Sequence, residues 1–214
     1  MIEAITYRSM IDDLKNYQTD KASVGILITR PHLALGKEIL SSLNFYHNMT
    51  GKRTNFYLPG YGAYWHNAYP DEINVAKIDG VHWSFSDKMF VEFIRELEKN
   101  SSWKYLGETE LLLIETQNGE LNFDYTLQMY LDNMLRDTVI DSVHSFFQQV
   151  FNILEMESEL DKVSNRLGRK KFVEISKKMV LDNVPEYLRE PFMQEKYFCV
   201  KNIARNKNRT KVII

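Results

Sequence analysis

Aromatic, glycine and basic residues that suit a ligand site cluster between positions 30 and 66 of this 214-residue chain. The segment RTNFYLPGYGAYWHN, residues 53–67, leads from an apolar run through Pro-Gly into large aromatic residues and a histidine. Tyrosine and tryptophan stack on flat rings, and glycines let the backbone approach a ligand closely. Basic side chains beside a helix N-terminus favour an anion. We therefore predict a site for a small anionic, nucleotide-like ligand, formed by Arg30, Lys37, Gly60, Tyr61, Gly62, Tyr64, Trp65 and His66.

Acid–base chemistry at this site would need an ionisable side chain near the ligand. The candidates are His66, Asp87 and Glu115, because each is expected near the carboxyl end of a strand. Glu108 and Glu110 begin the strand that Glu115 ends, so we expect them to lie at the opposite edge of a parallel sheet, in contact with solvent. These residues do not specify a reaction, and the sequence leaves open whether the protein is an enzyme.

Several catalytic and metal-binding motifs are missing from the sequence. Residues 31–38, PHLALGKE, have Gly-Lys at the P-loop offset, but Pro31 replaces the first glycine and Glu38 replaces the magnesium-binding Ser or Thr. The chain has no G-x-S-x-G motif. Its five histidines lack the spacing of a zinc site, so we predict no metal, and the cofactor stays unknown.

The strands and helices around the predicted site form a βαβ pattern. Val24–Thr29 is a continuous apolar run typical of a buried strand. An amphipathic helix over about 34–47 and a second strand over Thr54–Leu58 follow. A strand, a helix and a strand in this order predict two adjacent parallel strands. Ligands of open parallel sheets bind at the carboxyl ends of strands, so Arg30 and Tyr61 should face one crevice.

The rest of the chain predicts an α/β fold with a helical C-terminal half. Asp79-Gly80 and Asn118-Gly119 predict hairpins, and Ser86 is a suitable N-cap for a helix over Asp87–Lys99. From Thr126 to Leu154 the apolar residues follow a helical period, which predicts one long helix or two. We predict a Rossmann-like or flavodoxin-like, mostly parallel sheet flanked by helices. An α/β domain at 1–125 with an N-terminal helix would carry a helical region at 126–214, or both parts would form one domain.

The predicted helix from Thr126 to Leu154 also suggests an alternative function. Its apolar side chains, among them Met134, Phe146, Phe147 and Phe151, cover more than one face and need burial. The alternative is a non-catalytic interaction or assembly protein that forms a homodimer through this helix.

Charge and hydropathy patterns bear on the other partners and on location. A net charge of −2 provides no global field for nucleic acid. The alternating basic tail, residues 205–211, is typical of a solvated terminus or of an edge strand protected by charge. The N-terminal ten residues do not resemble a secretory signal. No stretch has the length and apolar character of a transmembrane helix. We therefore predict a cytoplasmic protein that contacts neither nucleic acid nor membrane.

Overall fold

The computed structural model describes residues 2–4, 6–16, 23–49, 54–65, 67–156, 160, 162–167 and 196–205. These residues form an α/β protein with one six-stranded sheet and one three-stranded sheet. In chain order the elements are β1 (Ile2–Ala4), α1 (Tyr7–Asn16), β2 (Ser23–Ile28), α2 (Ala34–Ser41), α3 (Leu43–Met49), β3 (Thr54–Pro59), β4 (Tyr61–Ala63), β5 (Ile73–Ile78), β6 (Val81–Phe85), α4 (Asp87–Asn100), β7 (Glu110–Gln117), β8 (Glu120–Tyr130), α5 (Leu131–Arg136), α6 (Val143–Met156) and β9 (Phe198–Lys201). Residues 160 and 162–167 are also helical.

The large sheet has the strand order β1-β3-β2-β7-β8-β9. β1 and β2 run parallel to β3, whereas β7 is antiparallel to β2, β8 to β7 and β9 to β8. The predicted parallel pairing of β2 and β3 is confirmed, but the predicted mostly parallel, Rossmann-like or flavodoxin-like sheet is wrong. A parallel neighbour needs a crossover connection, and the hairpin at Asn118-Gly119 reverses the chain instead.

The predicted helical C-terminal half is also wrong, since α1 to α4 all precede residue 125. Residues 126–130 continue β8, where Thr126 and Leu127 pair with both β7 and β9. The segment from Thr126 to Leu154, predicted as one long helix or two, is therefore a strand end followed by α5 and α6. The predicted domain boundary at residue 125 lies inside β8, and the division into domains stays a prediction.

Different helices cover the two faces of the large sheet. Phe56 and Tyr57 are neighbours in β3, so their side chains point to opposite faces. The Tyr57 hydroxyl donates a hydrogen bond to Asp13 of α1, and the Phe56 ring lies 5.1 Å from the ring of Phe151 in α6. On the α1 face, α1 also packs against α4. The result is a three-layer arrangement with the sheet in the middle.

The apolar side chains of α6 are buried inside this arrangement. Phe146, Phe147 and Phe151 are each at most 3% exposed, and Met134 of α5 is fully buried. The apolar side chains that suggested a homodimer are thus buried within the chain. The oligomeric state itself stays a prediction.

The small sheet, β4-β6-β5, has an inner face towards the core and an outer face towards solvent. The predicted hairpin at Asp79-Gly80 is confirmed, because it joins β5 to β6. Trp83 and Phe85 of β6 are buried, and the Phe85 ring lies 5.9 Å from Phe90 of α4. His82 and Ser84 alternate with them and belong to the outer face. α4 begins after Ser86, whose Oγ accepts a hydrogen bond from the Met89 amide as predicted for an N-cap.

Candidate functional site

The structure distributes the predicted ligand residues over the two faces of the small sheet. Tyr61 lies on the inner face with Phe85, their ring centres 4.7 Å apart. Gly62, the next residue, pairs with Ser84 of the outer face. Tyr64 and Trp65 follow β4 and line a cleft on that outer face. Arg30 and Tyr61 therefore form one group, and Tyr64 and Trp65 form another.

The inner group, Arg30 and Tyr61, is held by neighbouring side chains. Arg30 Nε donates to Asp87 Oδ1 at 2.9 Å, and its guanidinium carbon lies 4.6 Å from the centre of the Phe90 ring. The Tyr61 hydroxyl donates to the carbonyl of Thr29 at 3.2 Å, and burial raises the pKa of this hydroxyl above its usual range. Asp87, a candidate acid or base, is thus the ion-pair partner of Arg30.

Gly60 belongs to the packing of α4. Its φ of +76° lies in the left-handed region, and a Cβ placed there would lie 2.7 Å from Phe90 Cβ. Its carbonyl accepts a hydrogen bond from the Ser86 amide at 3.0 Å. The contact with α4 explains why this position is glycine. Lys37 is exposed on α2 and is not among the cleft residues.

The N-terminus of α4 is already occupied by a carboxylate of the chain. Asp71 Oδ2 accepts from the Lys88 amide at 2.8 Å, and Asp71 Oδ1 accepts from Ser86 Oγ at 2.7 Å. The hydrogen bond from the Lys88 amide is the main cause that lowers the pKa of Asp71. A helix N-terminus binds anions, and here Asp71 provides that anion.

We call the open depression on the outer face of the small sheet the outer cleft. It has a volume of about 420 Å³ and is lined mainly by Tyr64, Trp65, Glu72, Asn74, His82 and Ser84. Asn67, Gly80 and Val81 complete its lining. Asn74 and Ser84 are direct neighbours on β5 and β6. Tyr64 is 68% exposed. The volume lies within the range of small-molecule sites, roughly 300–1,000 Å³.

Trp65 is a buried side chain in the cleft wall with an unpaired donor. It is only 8% exposed, and its ring packs edge-on against Tyr69 at 4.8 Å. Trp65 Nε1 is closed to solvent and has no hydrogen-bond acceptor among the described residues. Tyr64 and Asn67 near it have φ values of +61° and +64°, a conformation that strains residues other than glycine. His66, a predicted ligand and catalytic residue, lies outside the described residues, as does the chain beyond Arg205.

Glu72 contributes an unpaired acceptor to the same cleft. Its Oε1 accepts from Ser84 Oγ at 2.7 Å, and Ser84 Oγ also lies 3.3 Å from Asn74 Oδ1. Glu72 Oε2 is buried and has no donor among the described residues. A carboxylate can accept about four hydrogen bonds, so Glu72 retains unused acceptor capacity. The cleft wall therefore contains both an unpaired donor and an unpaired acceptor.

The sequence did not single out Glu72, Asn74 or His82 as site residues. Alternation in Val81–Phe85, with three apolar residues at odd positions, is a signal that places His82 and Ser84 on the face opposite the core. Glu72 comes from the turn before β5, and no sequence pattern marks it. The contact with Ser84 becomes visible only when β5 and β6 pair.

The direction of β7 reverses the expected positions of its glutamates. Glu115 pairs with Ser23 at the start of β2, whereas Glu110 pairs with Ile28 at the end of β2 near Arg30. Glu115 therefore lies at the opposite edge of the sheet from Arg30. The expectation that Glu110 contacts solvent is wrong, because its side chain is fully buried.

Glu110, opposite the last residue of β2, is a buried carboxyl. Its Oε2 accepts from Gln128 Nε2 at 2.7 Å and from Trp103 Nε1 at 3.2 Å. Its Oε1 has no hydrogen-bond partner among the described residues. Burial raises the pKa of Glu110, and the two hydrogen bonds oppose this effect.

Comparisons with protein families, curated proteins and solved structures give no match to this chain. Within the described residues, no group of three or more His, Cys, Asp or Glu side chains could hold a metal ion. The described helices include none with the length and apolar character needed to cross a bilayer.

Proposed function

We propose that this protein binds a small ring-bearing ligand in the outer cleft. The observation that carries the proposal is the unpaired donor of Trp65 together with the unpaired acceptor of Glu72 in one cleft wall. An unpaired buried polar group costs about 1–3 kcal/mol, and such groups are few in native structures. A ligand that offers one acceptor and one donor would remove both costs.

The exposed ring of Tyr64 supports a flat ligand. It lies in the cleft lining and is accessible over most of its surface, so a ring can stack on it before any rearrangement. Trp65 Nε1 and Glu72 Oε2 are closed to solvent, so their hydrogen bonds to a ligand require side-chain rotation. The nucleotide-like ligand predicted from the sequence has such a ring in its base.

A probe panel tests the proposal with a matched pair of variants. Adenosine, guanosine, cytidine, uridine and nicotinamide are titrated into the protein by calorimetry. We expect at least one to bind and the variant Tyr64→Ala to weaken that binding about tenfold or more, since base–aromatic stacking contributes roughly 1–3 kcal/mol. Tyr125→Ala is the control, because Tyr125 is a half-exposed tyrosine of β8 and is not in the cleft lining.

Two outcomes would contradict the proposal. One is the absence of binding by every probe at millimolar concentration, and the other is an equal effect of the two tyrosine variants. The midpoint temperatures of thermal unfolding of both variants should stay close to that of the original protein, because substitutions of exposed residues usually change stability by less than about 0.5 kcal/mol.

The proposal concerns binding and assigns no reaction. Asp87 pairs with Arg30, and Glu115 lies at the far edge of the large sheet, so neither supports acid–base chemistry in the outer cleft. The homodimer and the cytoplasmic location predicted from the sequence stay predictions.

A further inference from the structure

We infer that the outer cleft recognises the N–H donors of an uncharged heterocycle, so that its ligand is a nucleobase or nucleoside and the phosphate of a nucleotide would gain no contact there. This inference rests on the proposed function and narrows its ligand class. It is carried by the charges in the cleft lining, by the partners of the nearby cations, and by the unpaired oxygen of Glu72.

The described lining of the cleft offers no lysine or arginine that would bind a phosphate. The acidic and basic side chains in that described lining are the carboxylate of Glu72 and the imidazole of His82. Phosphate groups are held by arginine, lysine or the N–H groups of a helix N-terminus. A negative cleft would instead repel a phosphate carried on the ligand.

Two groups outside the cleft that suit an anion, Arg30 and the N-terminus of α4, are already paired. Arg30 is bound to Asp87 at 2.9 Å. The N-terminus of α4 is bound to Asp71 through the Lys88 amide and Ser86 Oγ. In both places a carboxylate of the chain occupies the position that a phosphate would take. At these two places a nucleotide would have to displace an existing contact to gain a new one.

Glu72 favours a ligand with N–H groups. An ionised carboxylate only accepts hydrogen bonds, and Ser84 Oγ, a neutral group, donates to one oxygen of Glu72. The second oxygen is buried and has no donor within the part of the chain that the structure describes. A hydrogen bond formed away from water is stronger than one in solvent, so an amino or imino N–H of a base suits this position. Trp65 Nε1, a donor, would pair with a ring nitrogen or carbonyl of the same base.

Calorimetric titration of nucleosides and their 5′-monophosphates tests the inference. Adenosine, guanosine, cytidine and uridine are each compared with the matching monophosphate at low and high salt. We expect the nucleoside to bind at least as tightly as its monophosphate. Its affinity should change less than twofold between low and high salt. A monophosphate that binds ten times more tightly than its nucleoside would overturn the inference.

The variant Glu72→Gln tests whether the ligand must donate an N–H group to Glu72. Its control is Glu92→Gln, which removes the same charge from an exposed site on α4. We expect Glu72→Gln to weaken nucleoside binding tenfold or more, because its amide nitrogen cannot accept the ligand N–H. Glu92→Gln should leave the affinity unchanged. Equal affinities of the two variants would overturn the inference, and thermal unfolding confirms that both variants are folded.

A short single-stranded oligonucleotide distinguishes a free nucleoside from a base within nucleic acid. Because the described lining has no lysine or arginine for the phosphate backbone, we expect the oligonucleotide to bind no more tightly than the nucleoside. Tighter binding that weakens with salt would overturn the inference, since it would indicate phosphate contacts. If nucleosides bind but Glu72→Gln has no effect, the inference is wrong and the proposed function stands. If nicotinamide binds but no nucleoside or nucleotide does, the inference alone is wrong. If none of these probes binds, both are wrong.

Discussion

Replacing Trp65 and Trp103 by phenylalanine should separate an unpaired indole from a paired one. Both rings are buried, with 8% and 3% of their surface exposed. Trp→Phe removes a similar apolar area at each site, so this loss largely cancels when the variants are compared. The variants differ in the N–H group, since Trp103 Nε1 donates to Glu110 Oε2 and Trp65 Nε1 has no acceptor among the described residues.

The expected difference in stability follows from these hydrogen bonds. Trp103→Phe leaves the buried Glu110 with Gln128 as its one side-chain donor, which costs about 1–3 kcal/mol beyond the lost area. Trp65→Phe removes a buried donor that has no acceptor among the described residues. The loss of this N–H group should therefore leave the free energy of unfolding unchanged or raise it. We expect the free energy of unfolding to fall about 1–3 kcal/mol further for Trp103→Phe than for Trp65→Phe.

Urea unfolding followed by far-ultraviolet circular dichroism measures this difference without relying on tryptophan emission. The urea midpoints are compared between variants whose free energies of unfolding fall with urea at the same slope, because a midpoint shift at equal slope reports a change in stability alone. Equal losses, or a larger loss for Trp65→Phe, would show that the Trp65 N–H has a partner in the folded protein. That result would remove the observation on which the proposed ligand site depends.

Glycine and carboxyl substitutions give two further predictions. Gly60→Ala should lower the free energy of unfolding by about 2–4 kcal/mol, because it adds a crowded Cβ to left-handed strain. Gly80→Ala, with a φ of +86° and nothing within 4 Å of its Cβ, should cost only the strain of about 1–2 kcal/mol, so equal losses in chemical denaturation would contradict the packing argument. For Glu110, a raised pKa means that the folded state holds its proton at pH values where the unfolded state, with a pKa of about 4.3, has lost it. Stability should therefore fall as pH rises through this interval, by at most about 1.4 kcal/mol per pH unit, and level off above the folded pKa. Glu110→Gln should lack this component in unfolding measured from pH 4 upwards, and an unchanged pH profile would refute the assignment.

The elements predictable from the sequence are those whose signals are local. α4 combines a Ser86 cap with apolar residues at helical spacing, and the hairpins are marked by Asp79-Gly80 and Asn118-Gly119. Residues 126–130 illustrate the opposite case. Leu127, Leu131 and Met134 fit a helical period, but Leu127 and Met129 also alternate as a strand does. Pairing with β7 and β9 decides between the two, and β9 lies some 70 residues further along the chain.

The candidate site was only partly predictable for the same reason. The aromatic segment was visible in the sequence, but its division between two sheet faces depends on where β4 starts to alternate. The expected position of Glu115 relied on a parallel β7, and strand direction is a property of the whole sheet. Glu72 gains its significance from Ser84, twelve residues away, through a side-chain contact that no local pattern indicates.

Asp71 and Glu72 are consecutive residues with contacts in two different places. Asp71 accepts a hydrogen bond from the Lys88 amide in the first turn of α4. Glu72, in the lining of the outer cleft, accepts a hydrogen bond from Ser84 Oγ. Because adjacent Cα atoms are about 3.8 Å apart, any backbone movement that accompanies the rotation of Glu72 towards a ligand also displaces Asp71. Occupancy of the cleft and fraying of α4 would then be thermodynamically linked, and the linkage would act equally in both directions. Hydrogen exchange of the Lys88 amide, a group outside the cleft lining, would report whether the cleft is filled.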